Sequence, residues 1–395
     1  MKSSKYARIY IILLYLLVLQ NPLQNYIKIF QYFDEVLALM FFPIAIIYLI
    51  RNNGKIKIER KDIIIVICLI TIITIGLLAN IIYEYQSLTY ILSDLLVFLK
   101  FFLMYFSVQI ILKGKLNGYN KLISLHVKII TFTLFALSII NYIFNFWPPQ
   151  SYRYGIGVNQ ICFTHPTMLV AVTVALMCNL VYFKYEKERF YIFTLIMQIL
   201  LIISTLRMKA IAFVVVSILL MIYVLKVNKK IKVLNVLLVA GICILISYNQ
   251  IIYYFTDDSF ARTALLETSF KIANDKFPLG TGFATFGSFF SGVNYSPVYE
   301  LYGINNIWGL REDNPAFISD TFWPMIIGQF GYIGTILYMI CIMLIFLKIQ
   351  KKYDKRNKNT YVAKILCLVY LGISSTSESA FVNSLAILLA VLLAL

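Results

Sequence analysis

Arg207, Arg262, His165, Asp320 and Glu378 are ionisable side chains that the general charge pattern of this chain leaves unexplained, and they are of the types that bind anions and move protons. Arg207 lies in the turn Ser204-Thr205-Leu206-Arg207-Met208-Lys209 between two short apolar runs. An ionisable residue at membrane depth is costly and normally has a partner; the plainer alternative is an arginine that snorkels to the interface. Lys209 shares the turn and is grouped with Arg207 as substrate-binding. Arg262 falls in the first turn of an expected helix over Ser259 to Asn274, where a cation opposes the helix dipole. A bound anion would relieve that conflict, as would a surface ion pair with Asp258 or Glu267.

His165, one of two histidines, stands in Phe163-Thr164-His165-Pro166 near the outer end of an apolar run, whereas His126 reads as structural. Asp320, in Ser319-Asp320-Thr321-Phe322-Trp323, is either a helix N-cap shared with Ser319 or a carboxylate that accepts a proton. Glu378, in Ser374-Ser375-Thr376-Ser377-Glu378-Ser379, is placed to pair with Arg207. The chain carries no Walker loop, no His/Cys metal spacing and no acidic pair in a soluble domain, so the expectation is chemistry without nucleotide, metal or other cofactor.

The elements that must hold these residues are membrane spans. A composition 61% hydrophobic and 13% charged, with mean hydropathy +0.82, lies far from the soluble average of about 25% charged. Apolar runs predict an all-α bundle with spans near 7–22, 32–50, 62–83, 89–112, 122–145, 163–183, 190–206, 209–226, 233–252, 319–347, 362–376 and 380–395. The first is read as a retained span ended by a turn at Gln20-Asn21-Pro22, since no small-residue cleavage site follows it. Most of the 35 Lys and Arg cluster on alternate short loops, as the positive-inside rule requires. The net charge of +17 therefore encodes topology and attraction to anionic lipid rather than nucleic-acid binding, and it predicts both termini in the cytoplasm. The six cysteines are scattered, nearly all within apolar runs, and suggest neither disulfides nor a metal site.

Three parts follow: spans 1–9 over residues 1–252, an extracytoplasmic loop over 253–318, and spans 10–12 over 319–395. A loop of about 65 residues far exceeds what a helix connection needs. In its helix Ala261, Ala264, Leu265, Ile272 and Ala273 share a face, with Asp258 or Ser259 as cap. Pro278, Gly280 and Gly282 then make a tight turn. Tyr295, Tyr299, Tyr302 and Trp308 suggest an aromatic surface over the membrane, with Tyr295 assigned to substrate binding. Asp34-Glu35, at the outer mouth of span 2, reads as an interface anchor.

The order of these features resembles the superfamily of O-antigen ligases and Wzy-type polysaccharide repeat-unit polymerases. Ser204-Thr205-Leu206-Arg207 is similar to its Ser-Arg element. Arg262 with Phe277-Pro278-Leu279-Gly280-Thr281-Gly282-Phe283 looks like its arginine helix and Pro-Leu-Gly-x-Gly turn. Asp320-Thr321 followed by Gly331-Tyr332-Ile333-Gly334 has the spacing of the ligase motif His-(Asn/Ser/Gln)-x9-Gly-x-x-Gly, with aspartate in place of histidine. That departure, with Arg153-Tyr154-Gly155 and His165-Pro166, resembles the polymerases of capsule and O-antigen synthesis.

The resemblance implies a GT-C-like, metal-independent glycosyltransferase in the bacterial plasma membrane, facing outward and acting on undecaprenyl-diphosphate-linked oligosaccharides. Arg207 and Arg262 would hold the diphosphate, with Arg153 as a further substrate-binding residue. Asp320, His165 or Glu378 would be the base. A flippase and a chain-length regulator of the same pathway would be partners. Two other readings stay open: ligase-type transfer of a finished glycan, and a flippase without chemistry.

Overall fold

The computed structural model describes residues 2–51, 59–185, 189–227, 230–231, 241, 261–354 and 357–395. Helices dominate: α1 (Lys2–Gln24), α2 (Phe33–Arg51), α3 (Arg60–Tyr83), α4 (Leu88–Ile111), α5 (Asn120–Phe144), α6 (Pro166–Tyr182), α7 (Tyr191–Ser204) and α8 (Met208–Leu225). Then come α9 (Ala261–Asp275), α10 (Phe289–Val293), α11 (Val298–Leu301), α12 (Phe322–Lys351), α13 (Lys358–Ser374) and α14 (Ala386–Ala394). A small hairpin, β1 (Tyr152–Arg153) and β2 (Ile156–Gly157), pairs antiparallel between α5 and α6.

Among the described residues seven helices are long and apolar enough to cross a membrane, which makes this a membrane-embedded helical bundle. Helices α6 and α14 are buried on nearly every face and form its centre. Helices α2 and α3 turn Ile44, Ile47, Ile63, Ile67 and Ile70 outward, as lipid-facing helices do. Within α4, Lys100 is buried between Glu35 (2.6 Å) and Asp34 (2.5 Å), so that acidic pair is a buried partner for an intramembrane cation rather than an interface anchor.

The structure corrects two predicted boundaries, while the span expected at 233–252 lies, apart from residue 241, outside the described residues. Helix α1 does not stop at Gln20-Asn21-Pro22 but runs through Pro22 to Gln24. Pro22 removes the N–H that would have bonded the Val18 carbonyl, and the helix continues past it for only two residues. At the other end of the chain, the stretch expected as span 12 is helical only over the nine residues of α14, roughly 14 Å at 1.5 Å per residue. The residues before it spend their polar groups locally. Ser375 Oγ donates to the Gly372 carbonyl, and Asn383 Oδ1 accepts from the Ala386 amide. Such bonds compete with the helical ladder.

The loop region from Ala261 onward is folded around its own core of Leu265, Ile272, Phe286, Tyr299, Leu310 and Ile318. All five residues expected on one face of its helix are buried. The expected caps Asp258 and Ser259 lie outside the described residues. Loop and bundle meet at a joint made from the two glycine motifs. Helix α12 is interrupted at Gly331, where φ is 62° and ψ is −167°. A break leaves the preceding carbonyls without their i+4 donors. Thr281 N–H donates to the Gly328 carbonyl (3.0 Å) and Gly282 N–H to the Gln329 carbonyl (2.9 Å). Gly280 has φ +76°, and a Cβ there would come within 2.7 Å of Gln329 backbone. From α3, Asn80 donates to the Phe283 carbonyl and accepts from its amide. From α4, the Asp94 carboxylate accepts from the Ala284 amide and from Gln329 Nε2.

Gly280→Ala adds left-handed strain and a backbone clash, and is expected to destabilise the protein by roughly 2–4 kcal/mol. The check is thermal unfolding in detergent; an unchanged melting point would mean the joint tolerates a methyl group.

Candidate active site

Each piece of the site starts from a local requirement of the chain. The junction between α7 and α8 has to reverse direction within three residues, and Leu206 does so at φ +48°. The segment after α5 clamps the junction. Asn159 Nδ2 donates to Ser204 Oγ (3.0 Å), its amide donates to the Ser204 carbonyl (3.3 Å), and Arg153 Nη1 donates to the Leu206 carbonyl (3.2 Å). This fixes Arg207 as the N-cap of α8. Since α7 has only 14 residues, it spans roughly 21 Å against a hydrocarbon layer about 30 Å thick.

His165 caps the N-terminus of α6. Its Nε2 is 3.0 Å from Arg207 Nη2. A guanidinium can only donate, so Nε2 accepts and the ring is neutral. Nδ1 then carries the proton and donates to Thr167 Oγ1 at 2.7 Å, so in this tautomer it cannot also accept from the Thr167 amide 3.3 Å away. The segment is anchored by Asn21, whose side chain bonds Thr164 Oγ1 (2.9 Å) and the Thr164 amide (3.0 Å).

Two ion pairs complete the cluster. Arg262 Nη2 lies 2.6 Å from Asp320 Oδ2, joining α9 to the start of α12, with both side chains about one-third exposed. Lys209 pairs with Glu378, and its Nζ is 3.4 Å from Ser377 Oγ. The serine-rich turn that carries Glu378 is held against α12 by Ser379 Oγ donating to the Ser319 carbonyl and Trp323 Nε1 donating to Ser375 Oγ (3.1 Å). Lys209 lies within electrostatic range of Arg153, Arg207, Arg262 and Asp320, and His165 within range of Arg153, Arg207, Lys209 and Asp320. Four cations thus gather around two carboxylates and a neutral imidazole, leaving a net positive, partly open site.

Seven of the eight site residues expected from sequence come together here. Several contacts differ from expectation. Glu378 pairs with Lys209, a different cation from the Arg207 expected. Asp320 does not cap α12; Thr321 is the N-cap residue and makes no side-chain capping bond, because the Asp320 carboxylate is turned to Arg262. Arg262 takes its carboxylate from Asp320 rather than from Glu267. Tyr295 is placed elsewhere: its hydroxyl donates to the Leu310 carbonyl (2.7 Å) and its ring packs on Tyr299 inside the loop core. Burial, reinforced by Glu312 and Glu300, pushes that hydroxyl up to about 12. Tyr299, expected on the loop surface, is fully buried.

Sequence reading passed over Asn159, Asn21, Thr167 and Thr321. The signal for the two asparagines was an amide beside an otherwise apolar stretch, where an unpaired amide is expensive. The Thr321 hydroxyl, next to Asp320, is buried without a hydrogen-bond partner among the described residues. No group of three His, Cys, Asp or Glu side chains is arranged as metal ligands among the described residues. Neither a protein-family model nor a curated protein matches the chain.

Proposed function

We propose that this chain is a membrane glycosyltransferase that joins undecaprenyl-diphosphate-linked oligosaccharide units into capsular or O-antigen polysaccharide, working on the extracytoplasmic side of the bacterial plasma membrane. One observation carries the reading. Residues as distant in sequence as Arg153, Arg207, Lys209 and Arg262 converge on one site, together with a hydrogen-bonded imidazole. A cluster with more cations than carboxylates is suited to a multiply charged anion, and its place at the ends of apolar helices suits an anion attached to a lipid.

The chemistry follows from the charges. An acceptor sugar hydroxyl attacks the anomeric carbon of the growing chain, and the bond from that carbon to the diphosphate oxygen breaks, its electron pair leaving with the lipid diphosphate. Arg207 and Arg262 stabilise the charge that grows there. The proton lost by the hydroxyl goes to His165 Nε2. In the resting site Arg207 covers that nitrogen, and Arg262 is held by Asp320. A diphosphate that draws both arginines uncovers the base, so donor binding comes first. Asp320 then acts as a resting counter-ion for Arg262. The neutral imidazole, its lone pair freed and the bound diphosphate offsetting the cations around it, accepts the proton.

The test is a purified assay with lipid-linked repeat units, scored by product length, beside deletion and complementation in cells. A ladder of lengths supports polymerisation, and single transfer would assign the site to a ligase instead. Asp320→Asn is expected to reduce the rate less than about tenfold, since the arginine loses only a resting partner. A loss of about a hundredfold or more would make Asp320 the base and displace His165.

A further inference from the structure

At the far end of α12 and α13 from this cluster, a cavity of about 350 Å³ opens between helix ends, lined among others by Lys113, Lys348, Lys352, Lys364, Asn117 and Asn120. The two regions lie at opposite ends of the 30-residue α12. The cavity sits on the face of the basic loops, which the positive-inside rule assigns to the cytoplasm.

The charges around it do not balance. Lys348 is buried against Asp62 and donates to Gln109 Oε1 (3.1 Å). Lys113 and Lys352 share one carboxylate, Glu59, at 3.5 and 3.7 Å. Lys364 is 8% exposed and donates to the Leu393 carbonyl at 2.9 Å. Among the described residues no carboxylate lies within ion-pair distance of it. Among the described residues four lysines therefore face two side-chain carboxylates, and Lys364, whose partners are the Leu393 carbonyl and the Tyr182 ring (5.9 Å to its centroid), is buried without one, which is costly for an ammonium. Lys352 registers the crowding: burial first, then Lys113, pull its ammonium down to about 8 against the opposing pull of Glu59. An anion in the cavity would remove all of these penalties together.

We propose that this cavity binds a phosphate group, with its volume, its lysines and the amides of Asn117 and Asn120 suited to the phosphodiester headgroup of an anionic lipid in the inner leaflet. The volume is within the range of about 300–1,000 Å³ common for ligand sites. Basic pockets between spans on this side of a membrane recognise such headgroups. This site is separate from the proposed glycosyl-transfer site and does not depend on it.

The experiment measures equilibrium binding to the full-length protein in uncharged detergent, with short-chain phosphatidylglycerol, phosphatidylcholine of equal chain length, and inorganic phosphate as probes. Saturable binding of phosphatidylglycerol, weakened about tenfold in Lys352→Gln and in Lys364→Met, is the expected result. Inorganic phosphate binding as tightly, with the same loss in both variants, would support the phosphate site and identify the free ion as its ligand. Lys352 is 43% exposed, so its variant reports even if Lys364→Met misfolds. Equal binding of phosphatidylcholine, or unchanged affinity in Lys352→Gln together with any folded Lys364 variant, overturns the proposal.

Discussion

Arg207→Ala is expected to lower glycan extension by about 10²- to 10³-fold, the loss typical when one preorganised donor to a developing charge is removed. Arg207 stands at the N-cap position of α8 but its side chain makes no capping bond, and the clamp from Asn159 to Ser204 stays in place. The variant should therefore insert and melt close to the wild type. Arg207→Lys restores only part of the rate, because an ammonium keeps the charge without the planar fork that grips two oxygens. Purified rates beside melting curves decide it: normal polymer length with normal stability in Arg207→Ala would remove the diphosphate role.

His165→Ala should fall by about 10²- to 10⁴-fold in kcat, the usual contribution of a positioned base, with KM for the donor unchanged or lower. The reason is the 3.0 Å contact between Nε2 and Arg207. Without the imidazole the guanidinium has one competitor fewer, so the diphosphate binds no worse while the proton has nowhere to go. A rise in KM at constant kcat would contradict this and assign His165 to binding alone. A double variant with Arg207→Ala should lose less than the product of the single losses, because the two side chains touch and act as one unit.

What could be read from the sequence depended on the range of each interaction. Period and hydropathy are local, so the helix carrying Leu265 and Ile272, and most spans, were legible. The nine-residue α14 was not, because Asn383 gives its side-chain oxygen to the Ala386 amide at the start of that helix, a bond that hydropathy does not weigh. Arg207, Arg262 and Asp320 stood out as charges without a topological role, and they do meet. Their pairing could not be read, since Arg262 and Asp320 are 58 residues apart and Lys209 and Glu378 are 169 apart. The Gly280-Thr281-Gly282 turn was legible as a turn, but that it meets Gly331 to build the joint between α9 and α12 was not. Tyr295 shows the converse: an aromatic in a long loop is as useful to the loop's own core as to a ligand.

The joint also fixes an order of manufacture. Asn80 and its partner Phe283 are separated by 203 residues, and Asp94 and Ala284 by 190. During synthesis α3 and α4 enter the bilayer long before the segment that satisfies them has left the ribosome. Until it arrives they hold an amide and a carboxyl in lipid with neither backbone partner. The early helices are thus left in need of the late ones. A chain halted before Phe283 would present quality-control machinery with polar spans rather than with a smaller version of the finished protein.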